Sequence, residues 1–199
     1  MKNLKLIRNI TWGEIFANWQ ANEGSRLSWQ EFAQQEKGWE SWEAWRRYMS
    51  DQYDASHRTW KLYEITDPAE AIPDFKLGPY KGWQQHFEDK LEHSFKDLAT
   101  TQEVWMRKNT GIQNCLAHFP VNGTQFFGAH ISDDDSVILL EGHHRCAAFS
   151  LAAHDGHPII FNQSPLIALT EITPDYIEEF KKMLTVGSHK STASPESPQ

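Results

Sequence analysis

The feature that most constrains this chain is an apolar strand that passes through a single glycine into a helix of very small residues. Val137-Ile138-Leu139-Leu140 is a short, fully apolar run of the kind found in strands buried on both faces. Glu141-Gly142-His143-His144-Arg145 follows, and then Cys146-Ala147-Ala148-Phe149-Ser150-Leu151-Ala152-Ala153. Side chains this small let a helix approach a sheet closely, so the segment predicts an α/β arrangement of strand, turn and helix. His154-Asp155-Gly156-His157-Pro158 ends the helix.

The flanking chain fits a mixed sheet with helices. Thr124 to Ile131, the turn Ser132-Asp133-Asp134-Asp135 and the run from Val137 predict a β-hairpin. Thr59 to Ile65 alternates in the manner of a strand, and Ile159-Ile160-Phe161 and Leu166 to Leu169 read as two more. Asp67-Pro68 signals a helix start or a turn, and the Pro and Gly residues from there to Trp83 predict a folded loop. Residues 83–109 read as helical with a break near Ser94, a second helix being announced by Thr100-Thr101-Gln102-Glu103 and closed by Thr110-Gly111. Ile112, Cys115, Leu116 and Phe119 share one helical face, which Pro120 terminates. A last helix runs from Thr173-Pro174-Asp175 to about Leu184, and the Ser- and Pro-rich tail from Val186 is expected to be disordered.

The first part of the chain is different. Six of the nine tryptophans (Trp12, Trp19, Trp29, Trp39, Trp42 and Trp45) fall within it. Capping-box patterns at Thr11–Glu14 and Ser28–Glu31 predict two short helices, and Trp42, Trp45 and Met49 place one apolar stripe on a third, ending near Tyr53. Indoles at helical spacing are expected to pack on the main domain rather than to form a ligand box. The 199 residues therefore divide into a Trp-rich helical extension (1–56), an α/β domain (57–184) and a tail (185–199).

Charge and cysteine content narrow the function classes. A net charge of −8 argues against non-specific duplex binding, so no nucleic-acid partner is expected. Two cysteines cannot make a disulfide scaffold, no apolar run approaches a membrane span, and the start does not read as a signal peptide, so a cytoplasmic protein with no membrane partner is expected.

The strand–Gly–helix junction is the candidate site. The first amides of a helix lack intrahelical acceptors and lie at the positive end of its dipole, an arrangement that binds phosphate. Gly142 lets the backbone approach a ligand, Arg145 can grip phosphate oxygens in bidentate fashion, and His143 and His144 can donate hydrogen bonds or move protons. Glu141 suits Mg²⁺ or a substrate hydroxyl. The plainer alternative pairs Glu141 with Arg145 across one helical turn and leaves the histidines as caps. Zinc is disfavoured, because adjacent histidines point about 100° apart on a helix, and His154 and His157 read as surface residues. No Gly-x-Ser-x-Gly elbow points to a serine hydrolase.

Leu139 to Ala148 resembles the signature of the ParB/sulfiredoxin-like superfamily, in which a strand leads through Gly and two variable positions to an Arg and a helix, and the turn cradles nucleotide phosphates. The close match spans residues 137–153, and a looser one takes the strand at 60–65 as the family's first. The two histidines before Arg145 resemble the branch that includes free-serine kinases, where Glu141 replaces the usual Asp. His143 stands where sulfiredoxins carry their catalytic Cys, which points away from sulfinic-acid reduction. The second Arg, the helix-turn-helix region and the basic surface of partition proteins have no counterpart here.

The resemblance implies a nucleotide-binding protein with ATP or ADP and Mg²⁺ as cofactors. Gly142, His143, His144 and Arg145 would hold the ligand, and Glu141, His143 and His144 would take part in phosphoryl transfer to a small molecule or in nucleotide hydrolysis. Glu141 would be the metal ligand, and Glu64 or Glu70 a base from outside the motif. The competing expectation is a non-catalytic ligand-binding or protein-interaction module whose N-terminal helices dock a partner.

Overall fold

The structure, a computed structural model, describes residues 1–190. Its first element is a strand, β1 (Leu4–Ile10), where the sequence predicts a helical extension. It lies antiparallel on β2 (Trp60–Ile65), so the extension begins as an edge of the main sheet. The hairpin forms as expected from β3 (Gln125–Ile131) and β4 (Ser136–Glu141). β5 (Leu166–Ile172) runs antiparallel to β2 and parallel to β3, which gives one five-stranded mixed sheet in the order β1-β2-β5-β3-β4. Ile159–Phe161 is not a strand: Ile160 is exposed, and Phe161 instead packs against Phe119 and Phe149.

Aromatic helices cover one face. In α1 (Trp12–Trp19) the Thr11 hydroxyl accepts from the Glu14 amide, and the Glu14 carboxylate accepts from the Thr11 amide. In α2 (Leu27–Glu31) the predicted Ser28 box is absent, and the cap is Arg26 with no side-chain bond. Both helices continue into wider π-type turns, Gln20–Gly24 and Phe32–Glu36. In α3 (Trp42–Asp51) the Ser41 hydroxyl accepts from the Ala44 amide. Trp12 stacks on Trp60 of β2 (5.5 Å between ring centres), and Trp19 stands edge-on to Phe127 of β3 (5.0 Å) and to Trp42 (5.4 Å). Trp12 and Trp19 thus pack on the sheet, as the spacing predicts, while Trp42 packs behind them on Phe16 and Trp19, Trp29 and Trp45 on each other and Phe32, and Trp39 on Tyr48.

The second face carries the remaining helices. α4 (Pro68–Asp74) replaces the expected loop: the Asp67 carboxylate accepts from the Glu70 amide, and Pro68 occupies the position where its missing N–H costs nothing. α5 (Lys81–Gln84) is one turn. α6 (Phe95–Thr101) starts at a Ser94–Asp97 capping box. α7 (Glu103–Lys108) has no box from Thr100, whose hydroxyl is spent on the Lys96 carbonyl (2.8 Å). Thr110 and Gly111 open α8 (Thr110–Ala117) rather than close its predecessor, because the Asn109 carboxamide accepts from the Ile112 amide. α9 (His143–His154) is the small-residue helix, with Cys146, Ala147, Ala148 and Leu151 wholly buried.

α10 (Ile177–Val186) returns to the aromatic face, where Phe180 meets Tyr53 (6.2 Å). Part of the predicted disordered tail is ordered: the Trp39 indole donates to the Ser188 carbonyl (3.0 Å), and the Lys190 amide donates to the Lys37 carbonyl (3.0 Å). The rest of that tail lies outside the described residues. Alternation along the strands divides the core, with Trp60 and Leu62 on the aromatic face and Tyr63 and Ile65 on the other. Among the described residues no helix is long and apolar enough to cross a membrane.

Candidate functional site

The junction is built as the spacing predicts. Glu141 is the last residue of β4, Gly142 has φ +105° and α9 begins at His143. A side chain at Gly142 would lie 2.4 Å from the Phe126 ring, so both the dihedral and the space require glycine. Gly142 supplies no side-chain cap, and the first backbone bond that closes the helix runs from Cys146 to the Gly142 carbonyl (2.9 Å). The junction therefore presents the positive end of the longest helix without a capping side chain.

The motif side chains take different roles. Arg145 Nη2 donates to Glu141 Oε2 (2.5 Å), and its guanidinium lies over the Phe126 ring (4.8 Å). Burial pushes the Glu141 carboxyl up, against the pull of Arg145. His143 points inward, where its Nε2 accepts the Gly78 amide (2.9 Å), which places its own proton on Nδ1. Tyr80, Trp83 and Phe95 surround that ring, and burial holds it well below its usual pKa and therefore neutral. His144 is half-buried against Gly111 of α8 and edge-on to Trp83 (5.1 Å), and burial lowers its pKa also. Of the two histidines only His144 keeps a partly accessible ring.

The loop 77–91, which carries no motif, shapes the junction. Gly78 must be glycine because a Cβ there would lie 2.0 Å from the Leu139 carbonyl. The Tyr80 hydroxyl donates to the Leu140 carbonyl (2.7 Å). Buried Gln84 ties the loop down by donating to the carbonyls of Leu77 (2.8 Å) and Gly78 (3.1 Å) and accepting from the Leu91 amide (3.0 Å). Its sequence signals are the Gly78-Pro79 pair and Gly82.

A second ion pair stands close by on the aromatic face. Arg46 Nη2 donates to Glu23 Oε2 (2.7 Å), and both charges act on the Glu141 carboxyl. The bases proposed from outside the motif are not brought in. Glu64 pairs with Lys5 (3.7 Å) and lies three strands from β4, about 14 Å at the usual strand spacing. Glu70 is held by Lys2 and Asn3. Cys146 is buried with its thiol pKa well up, which excludes a ready thiolate. His154 and His157 are exposed, and among the described residues no group of three or more His, Cys, Asp or Glu side chains is placed to hold a metal ion.

No protein-family model matches the chain, and no curated protein and no solved structure matches it.

Proposed function

We propose that the chain binds a phosphate-bearing ligand of the nucleotide class, ATP or ADP, at the start of α9, in the manner of the ParB/sulfiredoxin-like superfamily it resembles. The observation that carries this reading is the uncapped N-terminus of α9 behind a positive-φ glycine, with the Arg145 guanidinium less than one turn into the helix. A phosphate oxygen would compete with Glu141 for Arg145, and the released carboxylate would then orient a nucleophile or share Mg²⁺ with the ligand. Glu141 is the only acid on the turn, so Mg²⁺ would arrive with the phosphates rather than sit in a protein-built cage. His144 is the group placed to move a proton, and His143 holds the loop at Gly78. Phosphoryl transfer to a small molecule, or hydrolysis, follows as the chemistry of such a site.

The closed Glu141–Arg145 pair favours a second reading, a non-catalytic binding or interaction module. Calorimetry with ADP and ATP, with and without Mg²⁺, tests the first. Arg145→Ala is expected to weaken binding by about 1.5–3 kcal/mol, the scale of a charge-assisted contact, and Arg145→Lys to recover part of it. Equal affinity in Arg145→Ala and the parent would make Arg145 structural. Binding without turnover would select the module.

A further inference from the structure

A second concave site lies where two strands part. The ladder between β2 and β5 ends at the pair Trp60 and Thr170, and beyond it opens a cavity of about 360 Å³ lined by Asp54, His57, Arg58, Thr59, Thr170 and Glu171. It shares no residue with the α9 turn, and β3 separates β5 from β4. A volume of this size suits a small organic molecule rather than a lone ion.

The loop that walls the cavity is fixed before any ligand arrives. Asp54 turns the chain at φ +55°, a conformation that Asp tolerates, between the buried residues Tyr53 and Ala55. The Ala55 carbonyl accepts the Trp60 indole N–H (2.9 Å), which ties the loop to the sheet. His57 Nδ1 pairs with Asp54 Oδ1 (2.6 Å), so those two side chains answer each other. Arg58 is held differently: its Nε donates to the Tyr53 carbonyl (2.6 Å), and its guanidinium lies over the Tyr176 ring (4.1 Å). Its two Nη groups have no acceptor among the described residues. A guanidinium anchored through Nε and one face is a preset fork for a carboxylate.

Thr170 points to the same ligand independently. It is only 2% exposed and lines the cavity, yet its hydroxyl has no hydrogen-bond partner among the described residues. Buried hydroxyls in native proteins are nearly always paired, so this one is built to meet a polar group in the cavity. Glu171 is exposed and joins no ion pair among the described residues. With Asp54 matched to His57, the lining offers one free cation and one free carboxylate. A single carboxylate can reach Arg58, whereas the second charge of a phosphate or a dicarboxylate would meet Glu171 instead of another cation.

We propose that this cavity binds a small organic monocarboxylate, its oxygens on the Arg58 Nη pair and the Thr170 hydroxyl. NMR titration of the full, ¹⁵N-labelled chain tests it with propionate, succinate and inorganic phosphate as probes. The signals read are the Arg58 Nε–H and the Trp60 indole, so that phosphate on the α9 turn is not counted. Propionate is expected to shift both saturably in the millimolar range, with succinate and phosphate several-fold weaker. Arg58→Gln, read at the Trp60 indole, should lose about tenfold or more in propionate affinity, and Arg58→Lys should recover part of it. Thr170→Val keeps the shape without the hydroxyl, so it should hold or raise the Tm while it weakens propionate several-fold. That pairing of a maintained Tm with lost affinity separates a binding role from a structural one. The site is wrong if propionate gives no saturable shift, if succinate or phosphate binds as tightly, or if Arg58→Gln and Thr170→Val bind as the parent does. A Thr170→Val chain that loses Tm and keeps its affinity makes the hydroxyl structural and overturns the site as well.

Discussion

The two faces of the sheet are packed by opposite means. On one, a few large rings span the gap between sheet and helices, and the helices that carry them are short, with two of them relaxing into π-type turns. On the other, α9, a helix of 12 residues, is buried nearly all round, and Cys146, Ala147 and Ala148 let it approach α6 and α8 closely. Large rings tolerate irregular backbone because each reaches its partners from a distance, whereas small residues fill the gap only if the backbones approach closely. The closely packed face therefore fixes the position of the α9 turn.

Deleting residues 1–56 should have the largest effect. It removes β1 from the edge of β2 and uncovers Trp60, Leu62, Phe127 and Leu140. Each buried aromatic ring contributes roughly 150–250 Å² of contact, and α10 is the one helix left on that side, too little to cover it. The truncated chain is expected to aggregate or to lose its cooperative melt by calorimetry. A monomeric product with an unchanged Tm would make the N-terminal helices an independent partner-docking element and undo the comparison of the two faces.

Trp42→Ala sharpens it. Trp42 is fully buried, meets Phe16 and Trp19 edge to face or tilted, and anchors Glu23 through its indole N–H. The loss should be about 3–5 kcal/mol in urea denaturation. A loss under about 1.5 kcal/mol would mean that the remaining rings collapse into the space, and that this face is as plastic as its backbone is irregular.

The same contrast explains what could be read in the sequence. The strand, Gly142 and α9 were legible because every cue there is local: an apolar run, a glycine, a row of small residues. β1 was not, since Leu6 and Ile7 are half exposed and Lys5 and Arg8 interrupt the pattern, which is what an edge strand permits. Ile159–Phe161 has strand composition, but no strand pairs with it, and composition cannot report that. At the site, Glu141 and Arg145 were legible as a pair four residues apart. Gly78 was not, because it reaches the turn across 65 positions of sequence and only the folded chain brings it there.

The smallest expected effect concerns pH and belongs to the closely packed face. His143 is held neutral by burial, with the neighbouring His144 and Arg46 also disfavouring its charge, while Tyr80, Trp83, Phe95 and the Gly78 amide enclose the ring. Its folded pKa lies below its ordinary value near 6.5, so the unfolded chain binds the proton first as pH falls. The stability it contributes is complete above about pH 6.5 and is lost below it, at a slope of at most about 1.4 kcal/mol per pH unit. Exposed His57 has the opposite sign, since Asp54 raises its pKa, but solvent screens that pair. His143→Gln keeps an acceptor for the Gly78 amide and removes the titration, so its Tm should fall less than the parent's between pH 7 and pH 5. Equal slopes in the two proteins would show that the turn takes up the proton without opening, and that the closely packed face is softer there than the packing of α9 implies.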